Sequence, residues 1–237
     1  MADIFRFKQF DVDQSGCAMK INTDGVLLGA LVEADQPQNI LDIGTGTGVI
    51  ALMLAQRFKD AKIDAVEIDP TAAQTADRNF THSPFSEGLN LYPIGFEQFF
   101  EENSGKKYDL IVSNPPFFIN SLKSPKATKE LAKHTDEDFF KNFISGVSAY
   151  LSLKGCCWLI MPLNTSELVA MLATGKNLYI QKIINVQSFA DSSAHRVIVC
   201  FGFEKVSVEI SKLILYKTAN KYTEEYKKLL QPYFIAF

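Results

Sequence analysis

Apolar positions along this chain follow two rhythms, and the rhythms alternate. Ile40-Leu41-Asp42-Ile43 is a short apolar strand, and Val49 to Ala55 beyond it reads as a buried helix. Residues 62–67 predict the next strand, with a short one near residues 90–94. Tyr108-Asp109-Leu110-Ile111-Val112-Ser113 has the β-branched content of a buried strand. Asp138 to Tyr150 predicts a helix, Cys156 to Met161 a strand, and Thr165 to Leu172 a helix. Tyr179 to Val186 and Arg196 to Phe203 pattern as an antiparallel hairpin closing the sheet. The run Val206 to Tyr216 alternates less cleanly and can add an edge strand, and Glu224 to Leu230 predicts a last helix. Alternation of this kind predicts an α/β fold: a Rossmann-like sheet of seven strands, helices on both faces, and the hairpin at its C-terminal side.

Residues 1–39 precede the first strand of that sheet and are expected to form an extension packing on a domain of residues 40–237. Phe5, Phe7 and Phe10 read as packing aromatics. Thr23-Asp24, ahead of an apolar helical run, predicts an N-cap. The segment is also placed to lie over a ligand.

Composition narrows the class. At 237 residues, 47% hydrophobic and 22% charged, the chain suits one globular domain with small additions. No apolar run reaches the about 18 residues of a membrane span, and Met1-Ala2-Asp3-Ile4-Phe5-Arg6 is not a signal peptide. Cys17, Cys156, Cys157 and Cys200 lack metal-ligand spacing, and the three histidines are scattered. Buried thiols in a reducing cytoplasm and no bound metal are therefore expected. The net charge of −3 disfavours nonspecific nucleic-acid binding, but charge is unevenly spread. Residues 120–134 carry Lys123, Lys126, Lys129 and Lys133 against Glu130 alone, and residues 204–237 carry six lysines against four glutamates. The first stretch is the candidate for contact with RNA phosphates.

Three motifs fall at the carboxyl ends of predicted strands, where ligands of such folds bind. Asp42-Ile43-Gly44-Thr45-Gly46-Thr47-Gly48 is an acidic strand end and a Gly-x-Gly-x-Gly turn leading into a helix. Its third glycine comes one residue early for the usual dinucleotide fingerprint. Asp42 stands where a carboxylate can receive the ammonium of the methionine moiety of S-adenosylmethionine (SAM), directly or through water. Gly44, Thr45, Gly46 and Gly48 let the backbone approach that ligand, and the helix N-terminus offers N–H groups to its carboxylate. Glu67, about 20 residues beyond the glycines, is placed to accept hydrogen bonds from both ribose hydroxyls. Asp69 reads as a helix cap.

Asn114-Pro115-Pro116-Phe117 suggests a chemistry as well as a fold. Two prolines stop the preceding strand and stiffen the backbone beyond it. Asn114 Oδ1 and the Pro115 carbonyl can accept hydrogen bonds from a planar NH₂ group while Phe117 stacks on its ring. Asn114 is counted with the cofactor-binding residues as well. Hydride transfer has no use for such an amine clamp, so the stretch favours SAM over a nicotinamide cofactor.

With these residues the chain resembles a class I SAM-dependent methyltransferase of the amino-methylating group. Phe5-x-Phe7-Lys8-x-Phe10 and Met19-Lys20-Ile21-x-Thr23-Asp24-Gly25 narrow the resemblance to the bacterial valine-tRNA (adenine-37-N6)-methyltransferase family. Lys133-His134 stands where relatives often have Arg-His. The resemblance implies methyl transfer from SAM to the N6 of adenine in tRNA, by a cytoplasmic monomer or weak dimer. Alternatives are a guanine-N2 methyltransferase of ribosomal RNA, a glutamine-N5 methyltransferase of proteins, and an RNA-binding module on a relic SAM fold.

Overall fold

The structure, a computed structural model, describes residues 3–115 and 126–237, with 126–136 described by their backbone alone. The N-terminal segment holds β1 (Ile4–Arg6), β2 (Asp11–Asp13) and α1 (Thr23–Leu31). Next come β3 (Asn39–Ile43), α2 (Val49–Arg57), β4 (Lys62–Val66), α3 (Pro70–His82), β5 (Leu89–Tyr92), α4 (Phe96–Glu102) and β6 (Tyr108–Ser113). The second half runs α5 (Lys126–Tyr150), β7 (Leu151–Met161), α6 (Leu163–Thr174), β8 (Tyr179–Gln187), β9 (Ala194–Gly202) and β10 (Glu209–Ile214). A small hairpin of β11 (Tyr216–Thr218) and β12 (Lys221–Tyr222) precedes α7 (Glu224–Leu230).

Among the described residues the central sheet has eight strands rather than seven, in the order β10-β8-β9-β7-β6-β3-β4-β5. The five strands from β5 to β7 are parallel, and β9 runs antiparallel to both β7 and β8. The extra strand is β10, parallel to β8 from Glu209↔Lys182 to Ile214↔Gln187. Its apolar signal is weak because Glu209, Ile210, Ser211 and Lys212 are all exposed and only Leu213 is buried. Lys182 Nζ instead ties it in, 3.0 Å from Glu209 Oε1.

The two faces of the sheet carry separate cores, as alternation along a strand requires. Trp158 and Ile160 of β7 face α1, α2 and α3, with Leu27, Leu52 and Phe80. Cys157, Leu159 and Met161 face α4, α5 and α6, with Phe99, Phe143 and Val169. The first core also contains Phe7, Phe10 and Val12 from the N-terminal segment. Phe5 and Phe7 each lie 5.6 Å, ring to ring, from Phe234. Lys8 Nζ donates to the carbonyls of Gln231 and Phe237 at 2.6 and 2.8 Å.

Helix α1 crosses α2 closely at Gly29, where an added Cβ would stand 2.9 Å from Met53 Sδ. Its cap is Asn22 rather than the expected Thr23-Asp24: Asn22 Oδ1 accepts from the Gly25 amide at 2.9 Å. Helix α5 begins at Lys126 and β7 at Leu151, both earlier than the apolar pattern predicts. Cys17, Cys157 and Cys200 are buried and Cys156 half-buried, all as free thiols. Among the described residues no helix is long and apolar enough to cross a membrane, and no group of three His, Cys, Asp or Glu could hold a metal.

Candidate active site

Strand order reverses between β3 and β6: from β3 the chain builds outward through β4 and β5, then returns to place β6 on the other side. A crevice opens at the carboxyl ends of strands at such a point. Register brings the three motifs there together, since Ile43 pairs with Val66 on one side and with Ser113 on the other. The residues just past these strand ends, Gly44, Glu67 and Asn114, therefore share one rim. The Ser113 hydroxyl donates to the Ile43 carbonyl at 2.7 Å and pins the β3–β6 side of the crevice.

The glycine turn is built by its own backbone. The amides of Gly44 and Thr45 both donate to the Val66 carbonyl, at 2.8 and 3.0 Å, and the Gly48 amide donates to the Thr45 carbonyl at 2.9 Å. Two glycines serve different ends. At Gly48 (φ +85°) an added Cβ would stand 2.4 Å from Phe80 Cε1, so this residue is a packing requirement between the turn and α3. At Gly46 (φ +57°) nothing lies within 4 Å of an added Cβ, which leaves that side of the turn open to a ligand. Gly48→Ala should therefore cost about 2–5 kcal/mol in a urea titration, from overpacking and left-handed strain together. Gly46→Ala should cost only about 1 kcal/mol and show its loss in calorimetric SAM binding instead. Equal destabilisation by the two would contradict this division.

Asp42 is fully buried. Its Oδ2 accepts from the Thr45 hydroxyl at 2.6 Å, while its Oδ1 is buried without a hydrogen-bond partner. Burial pushes its carboxyl up to about 7; the Thr45 hydroxyl and the Ala51 amide oppose that rise, and the charge of Glu67 adds to it. Such an oxygen is costly to leave bare, and a cation in the crevice would satisfy it. The hydroxyl of Thr45 is thus engaged with Asp42.

Glu67 comes directly after β4 and is held from both sides. Its Oε2 accepts from the Gly46 amide and its Oε1 from the Asp69 amide, each at 2.8 Å. A carboxylate has about four acceptor sites, so each oxygen keeps capacity for a further donor such as a ribose hydroxyl. Asp69 caps α3 as expected, accepting from the Ala72 amide at 2.7 Å. The donor set thus fits SAM: an unsatisfied buried oxygen for an ammonium, an open glycine turn, and an oriented carboxylate for a diol.

Asn114 is half-buried and Pro115 buried at the end of β6. The Nδ2 edge of Asn114 faces α1, 3.8 Å from where a Cβ on Gly25 would stand, and Val49 Cγ1 of α2 lies 3.7 Å from the same point. Phe117 and Lys123 lie outside the described residues; Lys126, Lys129 and Lys133 fall in α5, where the backbone alone is described. Sequence reasoning misses Arg196 at the head of β9, whose Nε lies 2.6 Å from Asp24 Oδ2. No local pattern links those two residues, which stand 172 positions apart.

The methyltransferase small domain family matches residues 17–162. A protein of Pedobacter heparinus named tRNA1(Val) (adenine(37)-N6)-methyltransferase is 46% identical over 237 residues, covering 100% of both chains. Among solved structures, one described as a predicted O-methyltransferase from Agrobacterium tumefaciens superposes with a TM-score of 0.68 at 16% identity, covering 89% of this chain and 96% of that one. The Thermus thermophilus 16S rRNA N2 G1207 methyltransferase, in complex with AdoMet and guanosine, gives 0.56 at 18% identity, covering 86% and 50%. At those identities the likeness is one of fold. The full-length relative and the match across the strand-end motifs are a likeness of family: this chain belongs to the methyltransferase small domain family, in the tRNA1(Val) (adenine(37)-N6)-methyltransferase group.

Proposed function

We propose that this protein transfers a methyl group from SAM to the exocyclic N6 of adenine 37 in tRNA1(Val). One observation carries the reading: a bare buried carboxylate oxygen, an oriented carboxylate and an amide meet at one crevice, in a chain similar from end to end to an enzyme named for that reaction.

SAM, when bound, supplies an electrophilic methyl group on a sulfonium. Asp42 receives the ammonium of its methionine moiety, and Glu67 the ribose hydroxyls. Gly44, Gly46 and Gly48 keep the turn narrow, and Thr45 orients Asp42. The adenine N6 lone pair is delocalised into the ring, so the amine is a poor nucleophile. Hydrogen bonds from N6–H to Asn114 Oδ1 and the Pro115 carbonyl favour a pyramidal nitrogen with its lone pair directed out of the ring plane. Positioning and stabilisation of developing charge then do most of the catalysis. As N6 takes the methyl group the S–C bond breaks to leave a neutral thioether, and the alkylated nitrogen, now acidic, gives its proton to water without a strong base. Phe117 stacks on the base once it leaves the loop, at lower cost than in a duplex. Lys123 with Lys126, Lys129 and Lys133 contact RNA phosphates. The reading carries a cytoplasmic location, where tRNA is found and four free thiols stay reduced, and a monomer or weak dimer as the working unit.

The test is incubation with labelled SAM and total tRNA from a strain lacking the enzyme, then nucleoside analysis. N6-methyladenosine in tRNA1(Val) is expected. Unlabelled tRNA, with label entering ribosomal RNA or protein offered in a parallel incubation, would overturn the substrate assignment.

A further inference from the structure

Helix α1 is strapped to the fold at several points. At its C-terminal end Arg57 Nη1 donates to the carbonyls of Gly29 and Ala30 at 3.0 and 3.2 Å. Just beyond, the Glu33 carbonyl accepts from Trp158 Nε1 at 3.0 Å and the Glu33 carboxylate meets Lys182 Nζ at 3.0 Å. On the same turn, Gly29 packs on Met53. The first turn is tied otherwise, by the ion pair of Asp24 and Arg196. That pair is mostly shielded, with side-chain exposures of 21% and 27%, and Arg196 Nη1 is braced on the His195 carbonyl at 3.0 Å.

This first turn abuts the amine clamp. Gly25 is the next residue after Asp24, and the point above its Cα is bounded by Asn22 Oδ1, Val49 Cγ1 and Asn114 Nδ2, at 3.7, 3.7 and 3.8 Å. The turn thus meets the start of α2, just past the glycine turn, and the residue that directly follows β6. An amide can serve as an acceptor toward the crevice only if its NH₂ edge is turned the other way, and here Nδ2 is the Asn114 atom found beside α1, 3.8 Å from the point above Gly25.

We propose that Asp24 and Arg196 are positioning residues for methyl transfer: their ion pair clamps the first turn of α1 to the head of β9 and so holds the Asn114 amide with Oδ1 toward the substrate amine. The proposal rests on Asn114 being the amine clamp. Shielded ion pairs of this kind add little stability beyond what apolar packing would give, and register is their best-attested use. Here the register is that of a helix against a catalytic amide.

Three variants and two readouts test it. Asp24→Asn and Arg196→Met should each lower kcat on tRNA by about 10- to 100-fold, as misplacement by a remote change does. Arg196→Lys, which keeps the charge, should recover most of that loss, and SAM affinity by calorimetry should stay within about threefold. The second readout needs no turnover: the side-chain NH₂ resonances of Asn114, identified by their absence in Asn114→Ala, should shift or broaden in Asp24→Asn and Arg196→Met and keep their wild-type positions in Arg196→Lys. Wild-type kcat in both charge-removing variants would overturn the proposal, as would a loss of rate that tracks the loss of folded protein. Wild-type protein inert on tRNA, with the Asn114 resonances still responding to Asp24→Asn, would instead sink the functional reading and leave the positioning link standing. Unmoved resonances would sink the link itself.

Discussion

Asn114→Ala is expected to lower turnover by about 100- to 1000-fold at saturating SAM and tRNA, the usual loss when one fixed polar group leaves a reacting centre. SAM affinity should hardly change, because Asp42 and Glu67 are anchored within β3, β4 and the glycine turn. The fold should survive as well, since Asn114 is only half-buried at a strand end. Its amide acts on the nucleophile rather than on the donor: without Oδ1, the Pro115 carbonyl alone is left to draw the N6 hydrogens out of the ring plane. Single-turnover rates and calorimetry on the same sample separate the two functions. Lost SAM affinity with normal turnover at saturating SAM would reassign Asn114 to the donor site.

The second large effect is a trade between stability and binding at Asp42. Folding raises this carboxyl from its ordinary value of 3.8 to about 7, chiefly by burial. The folded ligand-free protein therefore holds the proton more tightly than the unfolded chain does. The stability contributed by the group is fully present below the unfolded pKa and is lost as pH rises through about 7. Asp42→Asn removes that dependence. It should raise the ligand-free Tm at pH 8 by about 2–8 °C, with a gain that shrinks toward pH 5. The same change removes the charge that meets the donor's ammonium and should weaken SAM binding by about 10- to 100-fold. Wild-type SAM affinity should also improve as pH rises through about 7, as Asp42 ionises, and the variant should lack this rise. A lower Tm for Asp42→Asn with unchanged SAM affinity would defeat the assignment.

The parts of this site legible in the sequence are those written in short, contiguous code. Asp42 and the glycine turn occupy seven consecutive residues, Asp69 caps the helix directly after it, and Asn114 ends an apolar strand. Each is a local consequence of backbone geometry, so a local pattern reveals it. The cap of α1 is harder to place because three consecutive residues, Asn22, Thr23 and Asp24, are all good caps, and only the fold shows that Asn22 does the capping. Asp24 is then available for Arg196, a pairing made by the return of β9 beside β7. Strands β1 and β2 are three residues each, too short to show a period. The eighth strand is legible only as an imperfect edge, since Glu209, Ser211 and Lys212 interrupt its apolar pattern.

The packing of Phe5 and Phe7 against Phe234 has a consequence in time. The carbonyls that Lys8 engages lie 223 and 229 positions later in the chain. At about 5–20 residues per second, the first aromatics wait about 10–45 s on the ribosome for the residues that cover them. The strands of the Rossmann-like sheet are made meanwhile, but Phe5, Phe7 and Lys8 cannot settle fully until that late cover is present. Closure of the N-terminal strands onto the fold should thus be among the last steps a nascent chain completes. A lesion near Phe234 would be felt first at Phe5 and Phe7, at the other end of the sequence.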